Sequence, residues 1–134
     1  EVIELIPRYR AWLPALKWMC SVSAILFDEE SIDVYKADDA ERVTEMNVHQ
    51  NEVVLMQSTG LKDKNNVEIF ESDVVKQEML IPTSGIEKIT GVVKMLEGAW
   101  TIVNNKKEIA CNLWREGAEM EVIGNVWEGG DQNN

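Results

Sequence analysis

The chain has 134 residues, 45% of them hydrophobic, with five tryptophans and a formal net charge of −11. That length and apolar content suit one domain with its own core and exclude a disordered chain. The acidity argues against general DNA or RNA binding, whose affinity comes largely from neutralised phosphates.

In chain order, "PRYRAW" and "KWMCSV" predict short strands, with residues 13–16 around Pro14 turning between them. The stretch "RYRAWLPALKWMCSVSAILF" has the basic, apolar, small-residue order of a signal peptide. However, Lys17 interrupts the run, Pro14 bends it, and Glu1 and Glu4 sit where a signal carries positive charge. It reads as folded protein, and no span is long or clean enough for a membrane. "SAILF" and "SIDVYKA" form a second pair across "DEE". In "DDAERVTEMNVHQ", Asp38 or Asp39 caps a short helix with Val43 and Met46 on its apolar face, or the segment is a loop.

"EVVLMQS" follows, then "VEIF" and "DVVKQEMLI" on either side of "ESD". "TGVVKML", "AWTIV", "KEIACNLW" and "EMEVIGNVW" complete the series, punctuated by "EG", "NNKK" and "EG". Short strands at about 8–12-residue spacing predict a mainly β chain, a small barrel-like domain with at most one or two short helices. No repeat or Pro/Gly/Ser-rich linker divides the sequence. The expected organisation is one domain over 1–134, with N-terminal hairpins and an acidic segment in 1–52 and the barrel-like core in 53–134.

The charge is uneven. Residues 28–52 hold nine acids against Lys36 and Arg42, the tail from Glu116 onward has five acids and no Lys or Arg, and residues 61–107 balance seven of each sign. Cys20 and Cys111 stand far apart, without a second Cys or a His at metal-ligand spacing. They read as reduced thiols of a cytoplasmic protein.

"LMQSTGLKDKNNVEIFESDVVK", residues 55–76, concentrates turn chemistry. Thr59 and Gly60 end one strand, Gly60 accepting a positive φ without a Cβ clash. Asp63, Asn65 and Asn66 then supply side chains that bond their own backbone and tolerate the left-handed region. In "VEIFESDVV", alternation points Val67, Ile69 and Val74 inward and leaves Glu68 and Lys76 in water.

This stretch closely resembles the signature of the YopX family of small phage and prophage proteins. "RYRAW", "KWM", "GVVKMLEGAWTI" and "EVIGNVWE" resemble its other blocks, in order and over nearly the whole chain. Ser58 stands where an aromatic is common in the family, Asn66 and Ser72 where glycines are common, and "LPAL" replaces a polar turn. The resemblance implies a mainly β fold with self-association and supplies no reaction.

Residue chemistry supplies none either. Glu68, Glu71 and Asp73 would be the carboxylates of a metal-dependent enzyme, but Glu68 and Asp73 face opposite sides of a strand, and the three read as solvated strand-end carboxylates. His49, the one histidine, has no local motif joining it to Cys20 or Cys111 as base and nucleophile, and reads as a surface residue. "GxxxxGK" and "GxGxxG" are absent. No catalytic, cofactor-binding or metal residue is therefore assigned, and no cofactor is expected.

Trp12, Trp18 and Trp100 are expected in the core, while Trp114 and Trp127, beside polar ends, are the interface candidates. Lys62, Lys64, Lys106 and Lys107 rim a basic face without aromatic interleaving. The sequence thus predicts a non-enzymatic, cytoplasmic, prophage-encoded interaction protein. It joins copies of itself through "GVVKML" and "EVIGNVW", with a host or phage protein as a further partner, and binds neither nucleic acid nor membrane. The alternatives are an acidic inhibitor of a host or phage nucleic-acid-handling protein, drawn from residues 28–52, and a metal-dependent enzyme using Glu68, Glu71 and Asp73.

Overall fold

The structure, a computed structural model, describes residues 7–129. Glu1 and Glu4, on which part of the signal-peptide reading rests, and Asp131 of the acidic tail lie outside them. The chain divides into two compact units, Glu1–Ser58 and Thr59–Asn134. Both are antiparallel β structures, and the single helical element among the described residues is a 3-10 turn, Gln50–Glu52.

The first unit contains β1 (Tyr9–Leu13), β2 (Trp18–Leu26), β3 (Ser31–Lys36), β4 (Met46–His49) and the first part of β5 (Val54–Lys62). Their order is β4-β3-β2-β1-β5. The core is Ala11, Leu13, Cys20, Ile32, Val34, Val48 and Val53, with Trp18, Val22, Ile25 and Met46 packed against it. "KWMCSV" and "SAILF" are one strand rather than two. The register of β2 against β3 slips between Val22 and Ala24. The extra residue, Ser23, points its hydroxyl at Glu45, and a bulge of this kind breaks the two-residue alternation that a strand reading depends on.

Residues 38–45 form turns, not a helix. Asp39 Oδ2 accepts from the Thr44 N–H and the Thr44 hydroxyl, both at 2.7 Å. These bonds close a loop over residues 39–44 instead of capping a first helical turn, and they hold the Asp39 carboxyl below its usual pKa. Val43, the residue expected on an apolar helix face, is exposed.

In the second unit β5 runs on past Ser58 and pairs with β6 (Glu68–Phe70). A five-stranded sheet of order β10-β9-β8-β7-β11 follows, built from β7 (Asp73–Ile81), β8 (Gly85–Leu96), β9 (Ala99–Asn104), β10 (Ile109–Asn112) and β11 (Ala118–Asn125). Its register puts Val75, Gln77, Ile89, Val93, Ile102, Cys111, Met120 and Val122 on one face. There they surround a core of Ile69, Val75, Val93, Ile102 and Leu113. The opposite face carries a ladder of ion pairs, Lys88–Glu78–Lys76–Glu121, at 3.7–3.8 Å. That face is wet along the ladder and closed at its other end, where Val74, Val92 and Thr101 are buried.

The mainly β expectation holds, and the two sheets stay open instead of closing into a barrel. In the five-stranded sheet the reason is the route of the chain. β10 and β11 are consecutive yet occupy opposite margins, so residues 113–117 cross a face and cover it, and the margins never meet.

Two turn readings change. Gly60 lies inside β5, not at its end, with φ +81. Beside it the Thr59 hydroxyl donates to Ile69 O at 2.8 Å and accepts from the Leu61 N–H at 3.1 Å. Val67 is exposed, whereas Ile69 and Val74 are buried as expected. Asn66 and Ser72, the residues standing where family glycines are common, both have positive φ, +67 and +76.

Candidate association surface

The crossing from β10 to β11 is held by a side chain that β-strand periodicity could have flagged. Gln77 shares its face of β7 with Val75 and is 2% exposed, a polar group inside an apolar layer. Its amide is fully used. Nε2 donates to Asn112 O (3.2 Å) and Leu113 O (2.9 Å), and Oε1 accepts from Arg115 Nη1 (3.0 Å) and faces the Cys111 thiol at 3.5 Å. Arg115 Nη1 also lies 3.0 Å from Glu87 Oε1. A buried amide is tolerated only when bonded in this way, and here the bonds clamp the crossing strap to the sheet. With Leu113 buried beneath, Trp114 turns outward and is 63% exposed.

Among the described residues β10 is an open margin of the sheet. Leu113 N donates to Trp100 O at 2.9 Å, so Leu113, Cys111 and Ile109 are the hydrogen-bonded positions against β9. The alternation of an antiparallel ladder then turns the backbone groups of Ala110 and Asn112 away from β9. The strand "IACN" carries no charge, and Ile109 and Ala110 are exposed. Beside it lies a shallow groove of about 400 Å³, lined by Leu96, Ala99, Thr101, Ala110 and Asn112 with Glu97 and Cys111.

The other margin is closed by the protein itself. Asp63 sits in the loop between β5 and β6, and its carboxylate gathers three backbone amides: Asn65 and Val67 on Oδ1 (2.8 and 2.9 Å) and Val122 on Oδ2 (2.9 Å). Lys64 N adds a bond to Met120 O at 2.8 Å. Met120 O and Val122 N are edge groups of β11, so the loop occupies that edge as an added strand would. Burial raises the Asp63 pKa, but the bonds from Val122, Val67 and Asn65, with the charge of Lys64, outweigh it and hold the carboxyl below its ordinary value.

This geometry corrects the sequence reading of the interface. "GVVKML" belongs to β8, which is paired on both sides, and the "EVIGN" of "EVIGNVW" belongs to β11, whose edge the Asp63 loop covers, with Val126 and Trp127 beyond the strand. Trp127 is 36% exposed, with its N–H bonded to Asn125 Oδ1. Of the two tryptophans singled out as contacts, Trp114 stands next to an open margin. β10 itself was not singled out, because it is an uncharged run like its neighbour β9 and nothing in it marks an edge.

The remaining candidates are dispersed. Asp73, read as a solvated strand end, is 2% exposed, and its Oδ2 accepts from Phe70 N–H at 2.8 Å, closing the β6–β7 turn. Glu68 lies in β6 and Glu71 in that turn. Among the described residues no group of three or more His, Cys, Asp or Glu is placed to hold a metal. His49 is exposed and precedes the 3-10 turn, where its Nδ1 accepts from Asn51 N–H while Glu52 takes the His49 N–H. Cys20 is buried and Cys111 half-buried, both free thiols whose pKa burial pushes up, so neither is a ready nucleophile. Lys64 lies 3.9 Å from Glu121, and Lys106 and Lys107 sit in the β9–β10 turn.

The YopX protein family profile matches residues 8–131. The chain belongs to the YopX family. It is similar to the crystal structure of protein EF1440 from Enterococcus faecalis, with 28% identity, a TM-score of 0.53, and coverage of 93% of this chain and 96% of that one. It is also similar to protein yopX from Bacillus subtilis, at 19% identity with a TM-score of 0.57, over 91% of this chain and 94% of that one. The second likeness is one of fold alone. Among curated proteins nothing matches. Neither the family's description nor either structure's names an activity.

Proposed function

We propose that this YopX-family chain is a non-enzymatic, self-associating interaction module, prophage-encoded and working in the cytoplasm of a bacterial host, and that copies join along β10. The observation that carries the reading is the asymmetry of the five-stranded sheet. One margin is covered by the chain's own Asp63 loop, while the other is left open, uncharged and flanked by an exposed tryptophan. Open edges recruit strands unless they are blunted or covered, and an added β10 from a second copy satisfies the outward N–H and C=O of Ala110 and the outward N–H of Asn112, whose carbonyl Gln77 already bonds. Charge favours the same place. In a chain of net charge −11, copies repel except where the surface is locally neutral, and β10 is itself uncharged, with Lys107 and Glu108 before it and Arg115, paired with Glu87, after it.

Light scattering of the purified chain at ~100 μM, above the dissociation constant of most specific assemblies, should give a multiple of 15.2 kDa. Trp114→Glu should lower that mass toward the monomer, because a charge in a buried patch costs several kcal/mol unless paired. A wild-type monomer at that concentration, or a Trp114→Glu oligomer of unchanged mass, would contradict the reading.

A further inference from the structure

The first unit presents a second surface of different chemistry at the tip of the β2–β3 hairpin. Phe27 is 84% exposed, the most exposed large apolar side chain among the described residues. It stands beside a shallow recess of about 420 Å³ lined by Ile25, Leu26, Phe27, Asp28 and Glu29. The volume is at the lower end of small-molecule pockets, about 300–1,000 Å³, which suits one inserted side chain better than a cofactor.

The tip is also held in place. Glu29 N donates to Leu26 O and Glu30 N to Phe27 O, each at 3.2 Å, and Gln50 N donates to Glu30 O at 2.9 Å, tying the hairpin to the 3-10 turn. Glu30 sits in the left-handed region at φ 52 and has His49 Nε2 at 3.9 Å. Asp28 and Glu29 take part in none of the ion pairs seen among the described residues. Two other aromatic rings of the unit already have cations: Lys36 lies 5.4 Å from the Trp18 centroid and Arg42 4.7 Å from that of Tyr35. Phe27 offers the same kind of face next to two carboxylates.

We propose that this recess receives an arginine side chain presented by a partner protein. Its aliphatic stem lies along Ile25 and Leu26, its guanidinium plane against the Phe27 ring, and its N–H groups reach Asp28 and Glu29. A planar guanidinium stacks on rings and bonds carboxylates at once, which an ammonium does less well. The surface belongs to the first unit and is independent of association along β10.

The probe is N-acetyl-arginine methylamide, titrated into the ¹⁵N-labelled full chain, with the uncharged citrulline analogue alongside. Amide shifts should concentrate on residues 25–30. Phe27→Leu should weaken binding about three- to fivefold, as expected for an exposed cation–π contact, and needs no refolding because the ring is outside the core. The Asp28→Asn, Glu29→Gln pair should weaken it by about as much, while Asp38→Asn with Glu41→Gln, an equal change of charge elsewhere in the acidic segment, should leave it unchanged. The proposal is overturned if no shifts arise, if they spread over the whole acidic surface, if citrulline acts like arginine, if Phe27→Leu has no effect, or if the two double variants weaken binding equally.

Discussion

Asp63 replaces with one carboxylate the strand that would otherwise pair β11, and this gives the residue a measurable role. Asp63→Asn sets an amide N–H₂ against at least one of the three backbone N–H groups now bonded to oxygen. It should destabilise the second unit by about 2–3 kcal/mol at pH 7, the range for a lost charged hydrogen bond with a donor left unsatisfied. The pH dependence follows from the direction of the shift. The folded-state pKa lies below the unfolded value of about 3.9, so the stabilisation is complete above that value and is lost as pH falls through the folded pKa. Urea midpoints should therefore separate wild type from Asp63→Asn at neutral pH and converge in acid. Parallel curves from pH 7 to pH 2 would show that the carboxylate charge is immaterial. Ser72 is the counterpart in backbone strain, held at φ +76 by its N–H on Val93 O and its carbonyl under Val126 N–H, at 2.9 and 3.0 Å. An L-residue there costs roughly 1–2 kcal/mol, and glycine loses only about 0.5–1 kcal/mol in entropy. Ser72→Gly should raise stability by about 0.5–1 kcal/mol, and a lower denaturation midpoint would refute the strain.

Between strands, the tightest approach is Gly91 of β8 against β9. A Cβ there would sit 2.5 Å from Val103 O, a backbone atom with little freedom to retreat. Gly91→Ala should cost about 1–3 kcal/mol by overpacking, and calorimetry showing an unchanged midpoint would mean that β8 and β9 part more easily than their register implies. Strands of this kind were legible in the sequence wherever β-branched and aromatic residues clustered between turn residues, as in "EIF" and "AWTIV". Alternation failed at Ser23, where a bulge shifts the register within β2, and at residues 38–45, where bonds accepted by Asp39 from Thr44 beat helix formation. The turn residues Asp63 and Asn66 were legible because their side-chain chemistry is local. That Asp63 also reaches Val122, 59 residues away, and that Gln77 pins the crossing strap, are long-range pairings that no local pattern encodes. Strand order has the same character: nothing in "GVVKML" says that it is central or in "IACN" that it is marginal.

For the molecule as a whole, the net charge bears on nucleic acids and the margin at β10 on association. Among the described residues no helix is long and apolar enough to cross a membrane. With a net charge of −11, affinity for a short DNA duplex or single-stranded RNA at ~150 mM salt should be undetectable or weak. A sub-micromolar dissociation constant in fluorescence anisotropy would mean that a basic surface has been overlooked. The claim that copies join along β10 is reached most directly through the Ala110 amide, which the ladder alternation points away from β9. Followed by hydrogen exchange across a dilution series from ~1 to ~500 μM, it should be protected by orders of magnitude at the high end and exchange freely at the low end, in step with the mass. An Ala110 amide that exchanges at the same fast rate throughout, while the chain is oligomeric, would place the interface elsewhere and contradict the account.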